Sequence, residues 1–199
     1  MLNKIKSKKP FSKGKRSVIY IGYLKNKKIA IKKLNKRKDI KHIINNEANY
    51  LKILNKQNIG PSLIYSTKTY MVYEFIEGIR IETFLEKETG EKIKNVIKKV
   101  LDQCYILDRL GINKLEMNNP YKHILINKNK VKMIDFERCY QTEKPKNLTQ
   151  FISYLTSKRI SGMLKDKKIR INTKKLISLC KKYKKDYSKI SFNKIKDLW

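Results

Sequence analysis

Apolar and polar positions alternate along the first stretch of this chain and then give way to a longer, helical spacing. From Phe11 to Leu34, SVIYIGYL and KIAIKKL carry β-branched and aromatic residues on either side of the turn-like Lys25-Asn26-Lys27-Lys28, which predicts two antiparallel strands. A helix is expected from about Asp39 to Leu54, where Ile40, Ile43, Ile44, Ala48, Leu51 and Leu54 recur at helical spacing, and Asn58-Ile59-Gly60-Pro61 ends it. SLIYST and TYMVYEFI read as two further strands that close at Glu77-Gly78. From Glu91 to Leu110, Ile93, Val96, Ile97, Val100, Leu101, Cys104 and Leu107 form the apolar stripe of a long amphipathic helix stopped at Gly111. HILINKNKVKMIDF then predicts a short hairpin, followed by helices around Leu148 to Leu155 and in one or two basic segments beyond Thr173. The expected architecture is α+β: a small β-rich lobe with one helix over residues 1–78 and a mainly helical lobe over 79–199, without internal repeats or low-complexity linkers.

Charge changes this picture from an ordinary globular chain to one with an anionic partner. Hydrophobic residues make up 40% of the 199 positions, enough for a folded core, yet Lys and Arg number 49 against 17 acids, a formal net charge of +32. No acid occurs from Met1 to Lys38, and fifteen Lys/Arg between Lys158 and Trp199 face only Asp166, Asp186 and Asp197. Compositional drift toward Lys, Ile and Asn raises Glu beside Lys, and here the acids did not follow. A polyanion, with nucleic acid the commonest, is the expected partner. An acidic membrane surface fits less well, because no apolar run reaches transmembrane length and no secretory signal precedes the core. A cytoplasmic location is expected, with no membrane partner and no obvious protein partner. Cys104, Cys139 and Cys180 lack metal-ligand spacing and read as reduced core thiols, and with His42 and His123 the only histidines, any metal is held by oxygen.

Four features carry candidate chemistry. Ser12-Lys13-Gly14-Lys15-Arg16-Ser17 is a small-residue turn whose backbone amides, those of Gly14 and Ser17 among them, can face phosphate. Lys32 emerges from the apolar strand IAIKK, and Glu47 lies in the following helix, where a carboxylate can hold the ammonium against phosphate oxygens. Asp135 and Glu137, in Ile134-Asp135-Phe136-Glu137, end an apolar strand in two carboxylates suited to Mg²⁺. The polar loop from Lys114 to His123 precedes that hairpin and includes Glu116 and Lys122.

In that order, phosphate turn, strand lysine, helix glutamate, polar loop and strand-end aspartate resemble the protein-kinase signature set, over nearly the whole stretch from Ser12 to about Leu155. The resemblance implies a kinase-like bilobal fold that binds ATP and Mg²⁺. IAIK places Lys32 on the α/β phosphates with Glu47 as its partner, and MVYEFIEG resembles the interlobe hinge. There Tyr73 is at the gatekeeper position and Glu74, Phe75 and Ile76 offer backbone groups to adenine. IDFE resembles the metal-binding DFG segment and makes Asp135 the leading Mg²⁺ ligand. KLEMNNPYKHILI occupies the place of the HRDLxxxN catalytic loop but is two residues longer. Glu116 stands for the catalytic Asp and can accept a proton, while His123 replaces the metal-binding Asn and is a poor Mg²⁺ ligand, so Lys122 or His123 instead contacts the transferred phosphoryl group.

After Glu137 little room remains for an activation segment, and no APE motif follows. This trimming is similar to the RIO kinases and to the small kinase of the KEOPS-type tRNA-modification complex. EMNNPYKHILI, IDFERC and NLTQFISYL more closely resemble archaeal RNA kinases that phosphorylate a ribose 2′-hydroxyl in tRNA. The resemblance implies a tRNA or other structured RNA acceptor, with Lys13, Lys15, Arg16, Lys181, Lys182, Lys184 and Lys185 as candidate phosphate contacts. A RIO-like serine/threonine protein kinase or ATPase of ribosome or RNA metabolism shares every nucleotide-site residue, and an RNA-binding pseudokinase is the third reading.

Overall fold

A hairpin of two eight-residue strands joined by two residues sits in the middle of a five-stranded antiparallel sheet. Strands β2 (Ser17–Leu24) and β3 (Lys27–Leu34) pair from Ser17↔Leu34 to Leu24↔Lys27. Lys25 and Asn26 both have positive φ, 48° and 61°, the left-handed pair that a tight I′ turn requires to match strand twist. The expected four-residue turn is therefore two residues long, and Lys27 and Lys28 belong to the ladder. A computed structural model describes residues 2–35 and 41–199 of the chain, the side chain of Lys41 excepted.

The sheet order is β1-β2-β3-β5-β4, with β1 at Lys6–Lys13, β4 at Leu63–Ser66 and β5 at Tyr70–Glu74. Strand β1 was not foreseen: all eight of its residues are exposed and it lacks the alternation that marks a half-buried strand. Its lysines and Pro10 suit an edge, where they discourage pairing with a further chain. Helix α1 (Lys41–Asn55) buries Ile43, Ile44, Ala48, Leu51 and Leu54 as its spacing predicts, whereas Asp39 and Ile40 lie outside the described residues. It ends where Asn58 and Gly60 turn left-handed, with the Ile59 N–H donating to Leu54 O.

Beyond Glu77 the chain becomes mainly helical. The two-residue β6 (Ile79–Arg80) pairs with β8 (Ile124–Asn127), and between them lie α2 (Ile81–Lys87), α3 (Gly90–Arg109) and β7 (Ile112–Lys114). Helix α3 buries the expected stripe from Ile93 to Leu107 and adds Asp108 to it. Gly111, at φ 66°, stops it, and a Cβ there would meet the Gln141 amide at 2.8 Å. Strands β9 (Lys130–Met133) and β10 (Cys139–Gln141) precede α4 (Asn147–Leu155), α5 (Lys158–Asp166), α6 (Thr173–Asp186) and α7 (Lys189–Lys196). Helices α2 and α5 and strands β6, β7 and β10 are additions to the expected order, short pieces whose patterns span too few residues to show a period.

By their contacts the residues up to Glu77 and Lys132–Cys139 form one unit, and Gly78–Val131 with Tyr140–Trp199 form a second. The sequence reading divides the chain once, after residue 78. Lys132–Cys139 instead groups with the first unit, held there by a hydrogen bond from Lys132 Nζ to Gly60 O and by the Asn46 amide donating to the Glu137 and Cys139 carbonyls. All three cysteines are buried, and burial raises the Cys104 thiol and pushes Cys180 up to about 11, as expected of reduced core thiols. No described helix is long and apolar enough to cross a membrane.

Candidate active site

Lys32 lies in a run of four buried residues on β3, between Ile19 of β2 and Met71 of β5, and is only 5% exposed. An ammonium there must be compensated, because an isolated buried charge is prohibitively costly. Its Nζ donates to Glu47 Oε2 at 2.6 Å, Glu137 Oε2 at 2.9 Å and Asp135 Oδ1 at 3.1 Å. Glu47 is placed by α1, between the buried Ile43 and Ile44 on one side and Ala48 and Leu51 on the other. Asp135 and Glu137 arrive after β9, on the segment that groups with the first unit.

The segment is fixed by its backbone. Asp135 adopts a left-handed φ of 63°, which Asp tolerates better than most residues, and this turns the next N–H, that of Phe136, onto Glu47 Oε1 at 3.1 Å. The Phe136 ring is fully buried against Gly60, where an added Cβ would stand 2.9 Å from it. Glu137 is held twice more, by the Asn46 amide on its carbonyl and by Arg16 Nη1 on its Oε1 at 2.9 Å.

Three carboxylates therefore face two cations. Burial pushes Lys32 toward neutrality, but Glu47, Asp135 and Glu137 outweigh it and hold its pKa well above the ordinary lysine value. Burial raises the Glu47 carboxyl, Lys32 pulls it down and Asp135 adds to the rise. The two directions oppose each other within one ion pair. The ammonium's governs the charge state, since three carboxylates act on it while only one lysine acts on Glu47. Burial and the Glu47 carboxylate also push the Tyr73 hydroxyl above its usual value.

Oxygens of Glu47, Asp135 and Glu137 lie within 4.8 Å of one another. Such an all-carboxylate donor set fits a hard divalent cation such as Mg²⁺, with Asp135 and Glu137 as the residues to hold it and Glu47 paired to Lys32.

The phosphate turn is built differently from its expected form. The Gly14 N–H closes the β1–β2 hairpin on Ser17 O at 2.8 Å, and the carbonyls of Gly14, Lys15 and Arg16 all accept from Asn35. The Gly14 amide is thus engaged within the turn and does not face outward. Of the expected hinge donors, the Glu74 N–H goes to Ser62 O and the Phe75 N–H to Lys28 O. The Phe75 ring packs edge-on against the exposed Phe11 at 5.3 Å, with Lys28 Nζ 4.5 Å from the centre of the Phe75 ring.

Glu116, Lys122 and His123 belong to the second unit. Glu116 sits in a 3-10 turn, Leu115–Asn118, and its Oε2 accepts from Lys114 Nζ at 3.1 Å. Lys114 is completely buried, and its N–H donates to Asn147 Oδ1 at 2.8 Å. The Asn147 amide in turn donates to the Ile112 carbonyl and to Asp108 Oδ1, each at 2.7 Å. Tyr183 Oη donates to Asp108 Oδ2 at 2.9 Å. Burial pushes the Asp108 carboxyl up to about 6, against the pull of the Asn147 and Tyr183 donors. Lys122 lies 5.1 Å from the centre of the Tyr121 ring, and the His123 N–H closes a turn on Pro120 O.

The sequence reading missed Arg16 as a carboxylate partner, Asn35 and Asn46 as clamps, and the whole network of Asp108, Asn147, Tyr183 and Lys114. One signal was available: Asp108 follows Cys104 at helical spacing on the apolar stripe, where a solvated acid does not belong.

No family model matches the chain. Among solved structures it is similar to the autoinhibited serine kinase domain of the giant muscle protein titin, with a TM-score of 0.60 and 16% identity over 71% of this chain and 47% of that one. The chain thus has a protein-kinase-like fold and spans about half the length of that neighbour. It is also 31% identical over 115 residues, 56% of this chain and 98% of the other, to the uncharacterized protein MJ1211 of Methanocaldococcus jannaschii. It belongs to the same family as that archaeal protein.

Proposed function

We propose that the protein is an ATP-dependent kinase that transfers the γ-phosphoryl group to a ribose 2′-hydroxyl of RNA, with tRNA as acceptor. The observation that carries the phosphotransfer is the Lys32 ammonium held at once by Glu47, Asp135 and Glu137. A lysine kept charged by a buried glutamate suits the α/β phosphates of ATP, and two further carboxylates beside it suit Mg²⁺. Magnesium, when bound, offsets the negative charge of the phosphates. Lys32 then passes from Asp135 and Glu137 to phosphate oxygens, while Glu47 keeps hold of it and, through the Phe136 N–H, of the segment that carries both carboxylates.

In the transfer the acceptor oxygen forms a bond to the γ-phosphorus, the bond from that phosphorus to the β–γ bridging oxygen breaks, and ADP leaves. The hydroxyl proton goes to Glu116, which Lys114 Nζ orients. Lys122 and His123 contact the transferred group. The acceptor is read as RNA from the charge of +32 and from the resemblance of EMNNPYKHILI, IDFERC and NLTQFISYL to RNA kinases of archaea.

Incubation with γ-labelled ATP, Mg²⁺ and either a tRNA pool or a generic basic protein tests this reading. Label is expected in tRNA, lost on nuclease digestion, and reduced about a thousandfold or more by Asp135→Ala, the scale on which charge-stabilising groups act in phosphoryl transfer. Label in the protein substrate alone would reassign the acceptor to that of a RIO-like kinase. Absence of label from both would leave a pseudokinase.

A further inference from the structure

We propose that the solvent face of α6 (Thr173–Asp186) is the surface on which the RNA sugar-phosphate backbone docks, a proposal that rests on the RNA-kinase reading for the chemistry it serves. Helix α6 turns Leu176, Cys180 and Tyr183 inward, a single stripe at spacings of four and three. Its six lysines, Lys174, Lys175, Lys181, Lys182, Lys184 and Lys185, are all exposed. Among the described residues no carboxylate lies within ion-pair distance of any of them, whereas Lys196 of α7 meets Asp102 at 2.7 Å and Lys92 of α3 meets Glu88 at 2.9 Å.

The one acid of the helix does not compensate these charges. Asp186 stands at its end and accepts from the Ser188 N–H and hydroxyl and from the Ser191 hydroxyl, each at 2.9 Å, which hold its carboxyl below the usual range. Lys181 and Lys185, four residues apart, repel each other on an exposed face, as do Lys181 and Lys184. A row of cations that no described carboxylate pairs has the electrostatics of a polyphosphate site. A lipid surface fits poorly, because an interfacial helix needs a broad apolar face. Here the apolar side chains face the interior of the unit, with Ile177 the residue of that kind left about half exposed.

The edge strand β1 carries Lys6, Lys8, Lys9 and Lys13, and four buried or partly buried hydrogen bonds favour α6 over it. Tyr183 Oη of α6 donates to Asp108, Asp108 accepts from the Asn147 amide, Asn147 Oδ1 accepts the Lys114 N–H, and Lys114 Nζ donates to Glu116. The docking face and the proton acceptor are thus tied together inside one unit. RNA seated on α6 is held in a set relation to Glu116, which removes part of the entropic cost of presenting a ribose hydroxyl.

The test is RNA binding by the full-length protein without ATP, measured as anisotropy of a fluorescein-labelled tRNA transcript across a NaCl series. The triple variant Lys174→Gln, Lys181→Gln, Lys185→Gln is expected to weaken binding about tenfold or more. It is also expected to flatten the slope of log K against log salt by about two to three, one phosphate contact accounting for somewhat less than one. Arginine at the same three positions keeps the charge and is expected to restore both quantities. A control triple of equal charge change in the first unit, Lys25→Gln, Lys52→Gln, Lys56→Gln, is expected to bind nearly as the parent does.

Equal weakening by the two triples, or parental binding by the α6 triple, overturns the proposal. So does loss of binding to phosphatidylserine vesicles by the α6 triple with RNA binding intact. Binding that depends on α6 in a protein that labels no RNA would sink the kinase reading and leave the docking surface. Normal labelling with an α6 triple that binds like the parent would do the reverse.

Discussion

Two buried polar assemblies, one in each unit, solve the same problem by opposite means. Around Lys32 the groups are ionic: one ammonium, three carboxylates, and Arg16 at the rim on Glu137. Around Asp108 the partners are neutral, two main-chain N–H groups, the Asn147 amide and the Tyr183 hydroxyl, all donating to one carboxylate. The first has a surplus of negative charge and several partners for a single lysine, so on the proposed reading its contacts exchange for those of phosphate and a divalent cation. The second has every donor aimed at a fixed acceptor and joins α3, α4, α6 and β7. One is suited to chemistry and the other to framing the loop that carries Glu116.

The largest effect that would sharpen this contrast comes from Glu47→Gln. The amide still accepts from the Phe136 N–H, but the buried ion pair is lost. Unfolding in urea is expected to show a loss of about 3 kcal/mol, the low end for a broken buried pair, because Asp135 and Glu137 still face Lys32. Label transfer should fall with it by about a hundredfold or more, the size of one misplaced catalytic group. Unchanged transfer would show that the ionic cluster is structural, like its neutral counterpart.

Next in size is a pH effect from Asp108. Its folded-state carboxyl, raised to about 6 from an ordinary 3.8, takes up a proton more readily than in the unfolded chain. That contribution to stability is fully present below about pH 3.8 and is lost as pH rises through about 6. The difference in unfolding free energy between the parent and Asp108→Asn should therefore shift by about 2 kcal/mol across this window, to the parent's disadvantage at the upper end. A difference that is flat between pH 4 and 6.5 would mean that the carboxyl stays ionised throughout.

Tyr183→Phe is the smallest of the three. It removes one donor and leaves the ring packed, so a loss of about 1 kcal/mol in urea is expected. If the network frames the Glu116 loop, kcat for RNA labelling falls while the affinity for ATP holds. If both stay at the parental values, α6 and the loop are independent.

Of the ionic cluster, Lys32, Glu47, Asp135 and Glu137 were legible because each ends or interrupts an apolar run, and an ionisable group in such a place needs a partner. Arg16 was not, since one more cation among 49 carries no local signal, and its partner Glu137 lies 121 residues away. The neutral frame was almost wholly hidden. Asn147 and Tyr183 are ordinary residues at helix positions, and only the packing of α4 and α6 brings them to Asp108, across separations of 39 and 75 residues.

By itself the sequence determined the local elements whose cause is local. The β2–β3 hairpin follows from alternation, helices α1 and α3 from apolar stripes, and the stops at Gly60 and Gly111 from left-handed backbone. Tertiary structure alone decided where Lys132–Cys139 belongs, that the Gly14 N–H and the Gly14, Lys15 and Arg16 carbonyls are all engaged, and that a fully buried Lys114 supports Glu116. The physical reason is common to all three. Desolvation makes a buried polar group depend on partners brought from distant parts of the chain, and no short window of sequence contains them.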